Sequence, residues 1–141
     1  MTPHRDNIIN LLNLIASESD QILYQQRAPV NVANELVNQW FDDFYHPTDD
    51  RFMSEFSDEE LASLEEFNAY YDARDAVLPN SLDEMLKTTV WREMMACAGR
   101  ILDEHGWRGI EATYGGSPKG ERPLWVGRRR GARSPAGQKQ T

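Results

Sequence analysis

The chain has 141 residues, 40% of them hydrophobic and 10% aromatic, with a formal net charge of -8 and a single cysteine. That is one domain's worth of chain with enough apolar content for a core of its own, which excludes a wholly disordered protein and an internal disulfide framework. No 18-residue apolar run or secretory apolar segment occurs, so the expectation is a soluble cytoplasmic protein, bacterial by its economy, with no membrane contact.

In chain order, Asp6 or Asn7 is placed to cap a first helix over residues 7–26. Its apolar positions are Ile8, Leu11, Leu12 and Ile15, then Ile22 and Leu23 beyond a polar gap at Ser19, and Pro29 closes it. Asn31 caps a second helix over residues 32–45. Val32, Ala33, Leu36, Val37, Trp40, Phe41 and Phe44 form its apolar side, and Asn34, Glu35, Asn38, Gln39, Asp42 and Asp43 the other. Acids this near a helix C-terminus oppose the dipole by a few tenths to ~1 kcal/mol, so helix stability is not their purpose.

A polar connection from His46 to Arg51 leads to Phe52, Met53 and Phe56, which return the chain to the core. Ser57 and Glu60 then spell a capping box, with Phe56 and Leu61 spaced as a hydrophobic staple. The third helix spans residues 58–78, with Leu61, Leu64, Phe67 or Asn68, and Tyr71 on one face. Ser81 and Glu84 spell a second box for a fourth helix over residues 82–105. Its stripe is Leu82, Met85, Leu86, Thr89, Val90, Met94, Cys97, Ala98, Ile101 and Leu102, and Gly106 takes the left-handed position that ends it.

Beyond Gly106 two readings stay open. Either Trp107–Tyr114 and Leu124–Val126 pair as a short β-hairpin, or Trp107 and Ile110 dock on the helices and the rest is loose. From Arg128 onward the composition is that of a disordered tail. The expected architecture is therefore all-α: a bundle of four main helices in residues 1–114, followed by a flexible basic tail over residues 115–141.

The residues offer little catalytic chemistry. Asp42, Asp43, His46, Asp49 and Asp50 are candidate metal ligands, but no HExxH, cysteine pair or second histidine accompanies them, and the EF-hand spacing is missing. The histidines have no serine or cysteine in a recognisable nucleophile context. Cys97, within Met94-Met95-Ala96-Cys97-Ala98, reads as a buried small thiol. Gly115-Gly116-Ser117-Pro118-Lys119-Gly120 lacks the order of a phosphate loop. The expectation is a protein that is not an enzyme and needs no cofactor.

Charge points elsewhere. Residues 1–118 carry 8 Lys/Arg against 22 Asp/Glu, and residues 119–141 carry 7 Lys/Arg against one Glu. The body repels nucleic acid and steers a basic protein toward itself, although acidity also simply keeps proteins soluble. The acids crowd the second and third helices and their connection, interleaved with Trp40, Phe41, Phe44, Tyr45, Tyr70 and Tyr71. Carboxylates rimming exposed tyrosines make a docking surface with aromatic anchors. The stretch Glu35-Leu36-Val37-Asn38-Gln39-Trp40-Phe41-Asp42-Asp43-Phe44-Tyr45, with Phe56-Ser57-Asp58-Glu59-Glu60-Leu61 and Trp91, resembles small acidic helical immunity proteins of bacterial toxin–immunity loci over about residues 30–105. The arginine-rich end after Trp125 is not a feature of that class.

The resemblance implies a protein that neutralises a basic cognate toxin, of nuclease type, by masking its active or substrate-binding surface. Asp42, Asp43, Asp49, Asp50, Glu59 and Glu60 would stand in for substrate phosphates, and Tyr45 or Tyr70 would supply buried contact. The chain would act as a monomer or dimer, without nucleic acid. A helical scaffold or regulatory subunit, and a metal-dependent enzyme, are the alternatives.

Overall fold

The structure is a computed structural model and describes residues 2–109, whose regular elements are all helices, with no strand among them. In order they form α1 (Pro3–Ile15), α2 (Glu18–Arg27), α3 (Val32–Asn38), a π-helix (Gln39–Phe44), α4 (Asp50–Ser54), α5 (Asp58–Asp72), a 3-10 turn (Asp75–Val77), α6 (Leu82–Met85) and α7 (Thr89–His105). The expected hairpin, Ile110 and the basic tail lie outside the described residues.

Each of the four helices read from periodicity is divided or shortened, and the cause is visible at each break. The first splits at Ser17, whose Oγ accepts from the Asp20 amide and starts α2 afresh. The new start resets the register. Gln21 turns inward, fully buried, and its Nε2 donates to the Leu14 and Ile15 carbonyls at 3.0 and 2.8 Å. Both carbonyls lie in the last turn of α1, where the helix itself supplies no donor, and that of Leu14 also takes the Ser17 amide at 3.1 Å. Gln21 Oε1 accepts from Trp91 Nε1 at 3.1 Å, so the same side-chain amide ties α1 to α7. Ile22 and Leu23, expected in the core, are left exposed instead.

The fourth helix splits in the same way. Ser81 Oγ accepts from the Glu84 amide, half of a capping box, while the Glu84 carboxylate lies 3.8 Å from Lys87. After one turn α6 ends, and Thr88 Oγ1 accepts from the Trp91 amide to open α7. The shifted register exposes Thr89, half-exposes Val90 and drives Trp91 fully into the core.

The first helix begins earlier than Asp6 or Asn7 suggested, with Pro3 at its first position, where a missing amide costs nothing. Ile8, Ile9, Leu11, Leu12, Leu14 and Ile15 are all buried, so α1 is enclosed by the other helices. It packs chiefly against α7: Trp91 at the start of α7 meets Gln21 just beyond α1, while Trp107 past its end reaches Asn13 and Arg5.

The second helix changes type at Gln39. Its π turn closes after five residues, with the Tyr45 amide donating to the Trp40 carbonyl at 3.1 Å. That wide turn brings Tyr45 over Trp40, the rings stacked at 4.7 Å and 13°. Asp49, expected in a loop, caps α4 by accepting from the Arg51 and Phe52 amides. Phe52 and Phe56 are buried as expected, but Met53 points out. The capping box of α5 forms as read, with Ser57 and Glu60 exchanging bonds at 2.8 and 3.1 Å. This helix stops at Asp72 rather than residue 78. Arg74 folds back over the Tyr70 ring at 3.5 Å and donates to the Tyr70 carbonyl, satisfying a terminal acceptor.

Gly106 ends α7 at φ 72°, in the left-handed region. A Cβ there meets nothing within 4 Å, so backbone conformation alone opposes a side chain. Gly106→Ala is expected to lower stability by about 1 kcal/mol, read from the urea midpoint, with an unchanged slope.

Candidate functional site

Residues 28–73 hold 12 Asp/Glu and one cation, Arg51, whereas the other described residues hold 9 Asp/Glu and 7 Lys/Arg. Almost all of the excess negative charge therefore belongs to α3, the π-helix, α4 and α5. The last three are joined by rings: Trp40 meets Phe67 edge-on at 4.8 Å, Tyr45 meets Phe52 at 5.7 Å, and Phe41 lies 5.0 Å from Tyr71. Packing thus brings together the elements that carry the acids crowded into one stretch of sequence.

Within that region the named side chains differ. Asp42, Asp49, Asp50 and Glu59 are exposed, and Asp43 is half-buried. The Arg51 and Phe52 amides hold the Asp49 carboxyl below its ordinary range, with His4 and His46 adding to the effect. His46 Nε2 donates to the Asp43 carbonyl at 2.7 Å, which fixes the proton on that nitrogen. His4 and His46 also sit edge-on to each other and pack against Phe52.

Glu60 is engaged internally. Both of its oxygens receive the Arg5 guanidinium, at 2.7 and 2.9 Å, and Oε1 also accepts from the Ser57 amide. Arg5 and the Ser57 amide hold the Glu60 carboxyl below its usual value. Tyr70 is likewise occupied, donating to Glu93 at 3.2 Å beneath the Arg74 guanidinium. Tyr45 is half-buried on Trp40, and burial, with Glu65 nearby, raises its phenol pKa.

The rings do not stand out as exposed anchors. Trp40, Phe44 and Tyr71 are buried, and Phe41, Tyr45 and Tyr70 are half-buried. Stacked and edge-on contacts run from Phe56 through Phe52, Tyr45, Trp40, Phe67 and Tyr71 to Trp91. The aromatic richness of this stretch is chiefly a core feature, and the carboxylates are its most exposed groups.

Among the described residues, no three His, Cys, Asp or Glu side chains converge to hold a metal ion, including those around His46. Cys97 is half-buried rather than buried, and burial raises its thiol pKa, the opposite of activation. One pair was not legible from spacing: Ser63 Oγ and His105 Nε2 share a hydrogen bond at 3.0 Å across α5 and α7. Ser63 lies inside α5, where the helix itself takes up the backbone amides that an oxyanion would need. No helix among the described residues is long and apolar enough to cross a membrane. Compared with family models, curated proteins and solved structures, the chain matches none of them significantly.

Proposed function

We propose that the protein is a binding protein without catalysis of its own, which neutralises a basic partner by covering its active or substrate-binding surface. The observation that carries this reading is the segregation of charge: 12 carboxylates against one arginine in residues 28–73, on elements that pack together. Such a region attracts a cationic surface over several ångströms and speeds its encounter. A toxin of nuclease type fits because its phosphate-binding surface must be cationic.

The contact set is Asp42, Asp43, Asp49, Asp50 and Glu59, with Tyr45 contributing its half-buried edge. Glu60 and Tyr70 are set aside because Arg5, Glu93 and Arg74 already hold them.

Co-purification with the products of neighbouring genes identifies the partner. The fourfold change of Asp42, Asp43, Asp49 and Asp50 to Asn is then expected to weaken binding at least about a hundredfold at low salt, chiefly through a slower on-rate. Asn retains the Asp49 cap, so the helix start survives. An affinity untouched by the fourfold change and by added salt would reject the electrostatic basis.

A further inference from the structure

The outward side of α2 runs against the ordinary sense of an amphipathic helix. Gln21, a polar residue, is fully buried, while Ile22 and Leu23 are 37% and 41% exposed. The inward register is explained by the bonds from Gln21 to the end of α1, but nothing in the described fold covers the two aliphatic side chains. Around Leu23 the helix carries a specific charge pattern. Asp20, Leu23 and Arg27 fall at i, i+3 and i+7, on one face, and all three are exposed. Neither Asp20 nor Arg27 has an ion-pair partner among the described residues. Beside them Ile22 and Gln26 form one wall of a cleft of about 720 Å³ that Pro29, Val30, Leu82 and Asp83 close on the other sides.

From this we infer that α2 is a self-association surface, on which a second copy of the chain docks with its own α2 antiparallel. A two-fold axis near Leu23 brings the two Leu23 side chains together and sets each Asp20 beside the partner's Arg27, twice over. Isologous contacts need this kind of self-complementarity, in which residue i meets j and j meets i. A helix with acid at its start and base at its end supplies it only when the two run in opposite directions. Charge elsewhere agrees with the choice of face. The described residues outside 28–73 are nearly balanced, so two copies approach here without bringing their acidic regions together. Ten residues of helix span about 15 Å, so the contact belongs at the small end of specific interfaces and dimerises reversibly with concentration.

Sedimentation equilibrium of the full chain is expected to show a monomer–dimer equilibrium, and Leu23→Glu to raise its dissociation constant roughly tenfold or more. Asp20→Arg alone and Arg27→Asp alone each place like charges opposite one another and are expected to be monomeric. Mixed together, these two variants restore opposite charges at both contacts and are expected to form a one-to-one heterodimer. Mixing separates lost pairing from lost folding, because neither chain is altered further. Three results would overturn the inference: an unaltered chain that stays monomeric at every concentration reached, a dimer indifferent to Leu23→Glu, or folded single variants that fail to pair. The first would remove a second copy as the occupant of this face, and the second would place self-association elsewhere.

Discussion

Trp40→Ala is expected to lower the free energy of unfolding by about 3–5 kcal/mol, the largest loss from any single change considered. Trp40 is fully buried, stacked on Tyr45 and edge-on to Phe67, and its Nε1 donates to Asn68 Oδ1 at 2.9 Å. Removing the indole opens a cavity where the π-helix meets α5 and leaves a half-buried amide oxygen without its donor. Domains are commonly stable by only about 5–15 kcal/mol, so the variant is left with a small margin. Urea unfolding should show a large fall in midpoint. Trp40→Phe grades the effect: it keeps a ring against Phe67 but loses the hydrogen bond, and should cost less than half as much. A Trp40→Ala midpoint within error of the parent would mean that the aromatic ribbon does not hold the π-helix to α5.

Arg5→Ala is expected to cost about 2 kcal/mol and, together with Glu60→Gln, to change how the protein responds to acid. Arg5 binds both oxygens of Glu60, donates to the Glu55 carbonyl, and lies over the rings of Phe56 and Trp107 at 5.6 and 5.3 Å. The pair retains some exposure, 29% and 14%, and solvent screening keeps its worth below that of a fully buried pair. The Glu60 carboxyl titrates below its ordinary 4.5 in the folded state. The unfolded state therefore binds this proton first as pH falls. The contribution is complete above the unfolded value and disappears as pH drops through the folded one.

Glu60→Gln keeps an acceptor for the Ser57 amide and removes only the charge. Its stability deficit should be constant near neutrality and shrink below about pH 5. A deficit that stays level down to acid unfolding would show that the ion pair contributes nothing to stability.

How much of this was legible depended on the caps. The Ser57–Glu60 box, the Asn31 cap and the Gly106 stop were readable because one residue type at one position has one physical use. All-helical character followed from spacing. Ser17 and Thr88 were passed over because they sit inside apolar patterns that continue on both sides. Ser17 with Asp20, three residues on, was nonetheless a cap signal that outweighed the periodicity. Missing it reversed the assignment of Ile22 and Leu23 and hid the burial of Gln21; the unbroken register through Thr88 left Trp91 off the stripe.

In the acidic region the carboxylates were identifiable by composition. That Arg5 would take Glu60 was not, since it lies 55 residues away and only the tertiary fold brings them together. The rings were overestimated as anchors because an aromatic beside an acid looks the same in sequence whether it lines a core or a surface. The π turn hid Tyr45 further, by swinging it onto Trp40.

The central position of α1 has a consequence for synthesis. It leaves the ribosome before the other described helices, yet its main cover, α7, begins at Thr89. At translation rates of roughly 5–20 residues per second, several seconds pass before the two can meet. For that interval six aliphatic side chains of α1 lack their final shelter. Nascent chains stalled with α7 still inside the ribosome and chains with α7 fully outside it should therefore differ sharply in their capture by holdase chaperones. Such capture would mark late closure of the N-terminal helix as the step at which this protein is most vulnerable.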